Sequence, residues 1–400
     1  MDEQERGYSS VNKAVCEDCV ADDSLKRALL EGSRPDLTCD FCGRSPAAPF
    51  DLLLERVMKG LQKEYGRADD EGVYYDGGEG GYQWSETWSA SDLIYEYHDA
   101  FDNDAVVQTL LEAIGEDTWV YRRFLQARRD HALSTSWREF CHCIKHETRH
   151  VFWLTDNSGA EGLLEDGYIP TQEILQEIGE LLKSHNRIRT LPAGYEWYRA
   201  RAHDEEVNWG HKELGTAALD CAGENRMSPE GIPMFYGAQT AQTAVLEISG
   251  QHGEYVTCGV FATSVDCKVI DLINPPIVPS LFDDRYSAEQ RRERMFLRDF
   301  VEQLRQPPGT GSTLEYVPTQ VVCEYLLKVF GLKEGIIGLV YRTVYEPRDW
   351  SSFIGSACVV FNTINEACVS ADPGWDEVQE FRLGLVRQER YLNPKQSAQN

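Results

Sequence analysis

The chain has 400 residues, 42% hydrophobic and 11% aromatic, enough for two or three domains with their own cores and unlike a disordered chain. Its 39 basic and 66 acidic side chains leave a formal charge of -27, which repels nucleic-acid phosphates and makes nucleic acid a poor first expectation as partner. The opening MDEQERGYSS is acidic and no run reaches the length of a membrane span, so a soluble cytoplasmic protein with no membrane partner is expected.

Twelve cysteines would suggest disulfides in a small secreted chain, but four fall into two Cys-x-x-Cys pairs. Cys16 and Cys19 are separated from Cys39 and Cys42 by nineteen residues, and Gly43 follows the second pair. That spacing predicts a zinc knuckle over residues 1-45. Four thiolates fill a tetrahedral sphere and leave no position for water or substrate, so the zinc is expected to be structural. The other eight cysteines are scattered and read as core.

Residues 46-185 read as a helical domain. Phe50, Leu54, Val57, Leu61 and Tyr65 recur at helical spacing, and similar stripes run through Val106 to Ile114, Trp119 to Leu125 and Ile174 to Leu182. Residues 67-82 contain five glycines and five acids and predict a solvated, mobile loop. From Trp137 to Trp153 a helix is expected, opened by Ser136 and Glu139 as a capping box, with His142, His146 and His150 on one face. With no acid placed to complete a metal site, this face reads as a scaffold or sensor.

Residues 185-194, HNRIRTLPAG, read as a basic linker, and the character changes after it. Over 190-365 the chain mixes apolar, β-branched strands (Tyr255 to Ala262, Val269 to Leu272, Ile336 to Tyr341, Ala357 to Phe361) with helices at Ser287 to Arg305 and Pro318 to Phe330. This predicts a mixed α+β domain, with 366-400 as a C-terminal tail. No Gly-x-Gly-x-x-Gly follows a strand, which argues against a Rossmann fold with a retained dinucleotide.

The segment from Asn225 to Ile248, NRMSPEGIPMFYGAQTAQTAVLEI, concentrates chemistry. Pro229 and Gly231 supply a turn, Ile232 to Gly237 a short strand, and Thr240 caps a helix whose Ala244, Val245 and Ile248 look inward. Arg226, Tyr236 and Glu247 then meet at one end of a strand-helix unit. A guanidinium suits a pyrophosphate, a tyrosine face suits a flat cationic ring, and a carboxylate suits positive charge growing on a ribose carbon.

These residues resemble the signature of the RES domain, a family of NAD-consuming enzymes related in fold to ADP-ribosyltransferases. Trp197-Tyr198-Arg199-Ala200 resembles its opening strand, Asn225 to Pro229 its second arginine loop, Phe235-Tyr236-Gly237 its tyrosine strand and Val245-Leu246-Glu247 its acidic helix. Tyr316-Val317-Pro318-Thr319-Gln320 is similar to a motif of the branch with a HEPN/RES N-terminal extension. The resemblance implies an α+β, ADP-ribosyltransferase-like domain, with NAD as substrate. It assigns Glu247, Arg199 and Tyr236 to catalysis, and Arg226, Tyr316, Thr319 and Gln320 to substrate binding. The serine in the family's name has no counterpart before Gln320, so its hydroxyl is expected from Thr319 or Tyr316, with Thr343 as a further candidate. Active HEPN ribonucleases use Arg-x4-6-His, a spacing this chain lacks.

Three functional classes follow. The leading one is NAD degradation at the nicotinamide-ribose bond, by water or phosphate, with toxin or defence activity through NAD depletion. The others are ADP-ribosyl transfer to a macromolecule and a nucleotide-binding regulator without turnover. The oligomeric state, including a homo-oligomer, and an antitoxin or trigger partner stay open.

Overall fold

A computed structural model describes residues 7-78, 80-154, 168-207, 209-248, 253-305, 313-343, 357-362, 367-371 and 381-392. Their contacts divide them into two units, one drawn from residues 7-132, 168 and 277-295, the other from 133-154, 169-276 and 296-392. Among the described residues, no helix is long and apolar enough to cross a membrane.

In the first unit, β1 (Ala14–Val15) pairs antiparallel with β2 (Ala48–Pro49). Helix α1 (Asp23–Glu31) starts at Asp22, whose carboxylate accepts from the backbone N–H groups of Ser24 and Leu25 at 2.8 and 3.0 Å, two donors a helix start otherwise leaves orphaned. Helix α2 (Phe50–Glu64) buries Phe50, Leu53, Leu54, Val57, Met58 and Leu61, the stripe its sequence spacing predicts. These side chains pack with Val106 and Leu110 of α3 (Asp104–Ile114) in one core that also holds Cys16, Cys19 and Cys39.

Two expectations for this region change. The stripe from Trp119 to Leu125 is not a helix: β5 (Thr118–Tyr121) lies between β3 (Tyr65–Arg67) and β4 (Trp88–Ser89) in a three-stranded sheet. A run that short fits either period, and pairing partners decide it. In the glycine- and acid-rich stretch, residues 75-76 and 81-82 pair as a hairpin, with the Tyr75 and Tyr82 rings 5.1 Å apart. Val73 is buried against Ala68 and Val120, and the Tyr82 hydroxyl donates to Asp69 at 2.6 Å. The aromatic residues supply contacts that a count of glycines and acids conceals.

The second unit is built on a nine-stranded sheet. Helix α4 (Ile174–Ser184) leads into β6 (Ile188–Leu191), followed by β7 (Glu196–His203), β8 (Phe235–Ala238), helix α5 (Ala241–Glu247), β9 (Tyr255–Thr263) and β10 (Cys267–Leu272). Helix α6 (Val317–Tyr325), β11 (Ile336–Arg342), β12 (Ala357–Phe361), β13 (Cys368–Ser370) and β14 (Leu383–Leu392) complete it. The strand order is β13-β14-β9-β7-β8-β12-β11-β10-β6. All neighbours run antiparallel except β10 with β11 and β13 with β14. Alternate residues of β12 serve two cores: Cys358 and Val360 join one, and Ala357, Val359 and Phe361 join the other. A strand covered on both faces reads as a continuous apolar run, as Ala357 to Phe361 does.

Sheet pairing also redraws the expected linker and tail. Within 185-194, Ile188 to Leu191 is an edge strand paired with Cys267 to Ile270. Beyond residue 365, β14 pairs with β9 along Tyr255 to Thr263, so the sheet runs through the expected tail; residues 366, 372-380 and 393-400 lie outside the described part. The histidine face is interrupted as well. A helix at Arg129–His142 passes into a wider turn at Cys143–Glu147, and Thr148 is extended, which removes His150 from the face. The His142 and His146 rings lie 5.2 Å apart. Ser136 sits inside that helix, where its buried hydroxyl accepts from the Ile169 N–H at 3.0 Å, so it does not cap.

Gly338 stands opposite Phe361 in the β11-β12 register. A Cβ there would lie 2.6 Å from the Phe361 ring and 3.1 Å from Val269, and that ring is fully buried and cannot swing aside. Gly338→Ala is therefore expected to destabilise the protein by about 1–3 kcal/mol, the usual cost of overpacking. Thermal unfolding should show a melting temperature several degrees lower.

Candidate functional site

Strands β7 and β8 share a single residue pair, Tyr198 with Ala238, and then part. A cleft of about 450 Å³ lies along this split, within the size range of small-molecule sites. Tyr198, Arg199 and Arg201 of β7 line it, with Tyr236 of β8, Glu247 at the end of α5, Tyr341 of β11 and Cys358 of β12. Glu224, Asn225 and Ser228 add a wall from the loop before β8.

The two β7 arginines set the electrostatics. Arg199 donates from Nη1 to the Tyr236 carbonyl at 2.7 Å, and its guanidinium lies 5.0 Å from the centre of the Phe235 ring. Its Nε is buried without a hydrogen-bond partner. Burial, then the neighbouring Arg201 charge, pushes its pKa down to about 9. Arg201 donates from Nη2 to the Gly215 carbonyl at 2.7 Å, and burial lowers its pKa too. Among the described residues, neither arginine is ion-paired to a carboxylate. Desolvated cations without counter-charges favour an anionic ligand.

Glu247 lines the same cleft from the last turn of α5, whose start Thr240 caps by accepting from the Thr243 N–H at 3.1 Å. Its Oε1 accepts from the Thr343 hydroxyl, and from the Cys358 thiol at 3.6 Å. Burial and then the Glu247 charge raise the Cys358 pKa well above the usual thiol range, which keeps it a donor. Tyr341 is raised in the same way, by burial first and then by Cys358 and Glu247. The Tyr236 phenol, pushed up mainly by burial, is hydrogen-bonded to Ser228 Oγ at 2.7 Å.

The expected site residues are distributed unevenly around this cleft. Arg199, Tyr236 and Glu247 all line it. Arg226 stands behind the wall, its pKa lowered by burial, with Tyr341, Tyr316 and Glu247 near enough to oppose that shift. Its Nη2 is buried without a partner. Gln320 and Thr319 are buried on α6 and are not among the lining residues. Of the three candidate hydroxyls, Thr343 is the one hydrogen-bonded to Glu247. Ser228, Cys358 and Arg201 are site residues that the sequence reading missed. Arg201 had a signal, since it lies two positions along the same strand from Arg199 and so on the same face.

The four cysteines converge in the first unit. Their Sγ atoms all lie within 4.8 Å of one another, grouped to hold a metal ion. Separations are 3.3 Å for Cys16 to Cys42, 3.8 Å for Cys16 to Cys19 and 3.7 Å for Cys19 to Cys39. The turn after Cys39 closes through Gly43 N–H to the Cys39 carbonyl at 2.9 Å, with Gly43 at φ +75°. Burial raises the Cys39 thiol, but backbone N–H groups of Phe41, Cys42 and Cys16 outweigh it and bring the pKa down to about 7.

The second unit is thus an α+β domain whose cleft opens where a mixed sheet splits, lined by a carboxylate and by two arginines that, among the described residues, have no carboxylate partner. Residues 196–384 match the RES domain, and residues 33–158 match HEPN/RES N-terminal domain 1; the chain belongs to the RES family and carries a HEPN/RES-type N-terminal extension. RES domains are in general NAD-acting enzymes. No curated protein matches the chain.

The bond between Ser228 and Tyr236 ties the cleft wall to β8. Ser228→Ala and Tyr236→Phe are each expected to cost about 1 kcal/mol. The double variant should cost no more than the worse single one, because both remove the same bond. Denaturant unfolding of the four proteins reads the coupling; full additivity would show that the bond carries no stability.

Proposed function

We propose that the protein degrades NAD by cleaving the nicotinamide-ribose bond, with water or phosphate as acceptor. The observation that carries this reading is that Arg199 and Arg201, desolvated and, among the described residues, without carboxylate partners, line the same cleft as Glu247. A dinucleotide brings a pyrophosphate for the first and a glycosidic carbon for the second. In a cell the effect is NAD depletion, that of a toxin or defence effector.

The leaving nicotinamide is already cationic, so no acid is needed to protonate it, and the transition state has oxocarbenium character. Positioning and negative charge suffice. Arg199 grips the pyrophosphate through its fork of donors, assisted by Arg201. Arg226, half-buried and near Tyr341 and Glu247, adds positive potential beside the cleft. Tyr236 packs against nicotinamide or its ribose. Glu247 holds the ribose hydroxyls and stabilises the positive charge as it develops, while Thr343 and Cys358 fix the carboxylate's direction by hydrogen bonds to Oε1.

Glu247→Gln keeps the shape and hydrogen-bonding capacity and removes the charge. Nicotinamide release is expected to fall by about a hundredfold or more, with NAD affinity nearly unchanged. Incubation with NAD, with and without phosphate, followed by product identification, separates free ADP-ribose from its phosphorylated form and from ADP-ribose attached to protein. Parental turnover by Glu247→Gln would remove the carboxylate from the mechanism.

We assign the four-cysteine group to zinc with a structural role. An ion bonded to four sulfurs at about 2.3 Å spaces them about 3.8 Å apart, close to the 3.8 Å of Cys16 to Cys19 and the 3.7 Å of Cys19 to Cys39. Cys16, Cys19, Cys39 and Cys42 would fill the coordination sphere and tie the start of the chain into its core. Elemental analysis of protein purified without chelator is expected to find about one zinc per chain. Cys39→Ser should release it and destabilise the first unit, without altering the cleft residues; metal-free protein of native stability would remove this assignment.

A further inference from the structure

Gln320 resembles a substrate-binding residue in its motif, yet both its amide hydrogens are engaged within the protein. Its Nε2 donates to the Asn225 carbonyl at 2.9 Å and to Glu224 Oε1 at 3.2 Å. A primary amide has two donors, and these contacts use both. The residue is 5% exposed and is not among the cleft-lining residues, whereas Glu224 and Asn225 both are.

The gripped segment is a tight turn. Asn225 N–H donates to the Ser228 carbonyl at 2.9 Å and Ser228 N–H to the Asn225 carbonyl at 3.4 Å, which leaves Arg226 and Met227 at its tip. Helix α6 touches this turn along one face. One turn beyond Gln320, the Cys323 thiol meets the Met227 sulfur at 3.2 Å. One turn before it, Tyr316 is near enough to Arg226 to favour its charge. Positions 316, 320 and 323 follow the i, i+4, i+7 spacing of a single helical stripe. Among the described residues, by contrast, the Arg226 Nη2 has no hydrogen-bond partner, so its position depends on the backbone that carries it. Ser228, at the end of the same turn, holds Tyr236.

We infer that Gln320 is a positioning residue, which sets the substrate-binding wall by anchoring the Asn225 to Ser228 turn to α6 and does not touch the substrate. The inference rests on the NAD reading only for its kinetic consequence; the anchoring is independent of it. Through this turn Gln320 fixes three groups at once: the Glu224 carboxylate, the Arg226 guanidinium and the Ser228 hydroxyl under Tyr236. Losing the anchor loosens ground-state binding and leaves Glu247, on α5, in place.

Two measurements on the full chain test it. In Gln320→Leu, hydrogen-deuterium exchange over residues 222-231 is expected to accelerate about tenfold, the loss of roughly one to two hydrogen bonds, with exchange along β9 unchanged. Steady-state kinetics with NAD should show KM raised about tenfold and kcat within a few-fold of the parent, opposite to the pattern of Glu247→Gln. Gln320→Glu, which lacks both donors, should behave like Gln320→Leu. Adding Glu224→Gln to it restores a donor-acceptor pair with the roles reversed and should recover part of the exchange protection. Unchanged exchange in Gln320→Leu would overturn the inference, as would a fall in kcat with KM constant. If neither protein acts on NAD, the exchange arm still decides the anchoring, and the failure falls on the proposed activity alone.

Discussion

Where β7 and β8 separate, a sheet gives up hydrogen bonds it could have formed, and the cleft depends on that loss. Beyond the pair of Tyr198 and Ala238, the Tyr236 carbonyl accepts from the Arg199 guanidinium at 2.7 Å. A backbone acceptor in a buried place requires a partner, and here a cation supplies it. The arrangement brings Arg199 into a desolvated wall beside Arg201, where both charges are disfavoured. Neighbouring strands keep the split rigid: β9 pairs with β7 over eight residues from Tyr255 to Ala262, and β12 pairs with β8 over four. The unmet demand for negative charge is thus a property of the sheet's topology.

In the same cleft, the Glu247 carboxylate is held by groups in and just beyond two other strands. Thr343 follows β11 and Cys358 belongs to β12, and both donate to the same Glu247 oxygen. Antiparallel pairing of Tyr341 with Cys358 puts these strands in the register that lets both reach α5. Among the described residues, both of these hydrogen bonds fall on Oε1, which leaves the second Glu247 oxygen for the proposed chemistry. Helix α6 supports the remaining wall. Ahead of that helix, Glu315 is ion-paired with Lys145 at 2.7 Å, which joins the end of the N-terminal extension to the element that holds the Arg226 turn.

The first unit has a different physical basis. Three of the four cysteines are buried in its main apolar core, among Leu25, Leu29, Phe50 and Leu53. Raised thiol pKa values at Cys16 and Cys19, caused first by burial, oppose thiolate formation in the metal-free state. A bound cation would reverse that balance, since coordination requires the thiolate. Metal binding by the four cysteines would for that reason be linked to folding of this segment.

The cleft and cysteine residues were legible where their signal is local. Cys-x-x-Cys spacing reports a knuckle because both ligands of a pair sit on one turn, and Thr240 to Glu247 reads as a capped helix because cap and stripe lie within eight residues. Arg226, Tyr236 and Glu247 could be read as one group because a single strand-helix unit carries them, and the structure leaves Arg226 behind the wall while Tyr236 and Glu247 line it. Which hydroxyl meets Glu247 was decided elsewhere. Thr343 lies 96 positions away and Gln320 reaches Asn225 across 95, contacts that follow from strand order and register. The same holds for Ile188 to Leu191 and Leu383 to Leu392, a basic linker and a tail by composition, both strands once a partner edge is present. Local spacing encodes residue chemistry and short elements because near neighbours fix them. Strand pairing is set by the summed burial and hydrogen bonding of segments distant in the chain, and only the assembled sheet determines which groups share the cleft.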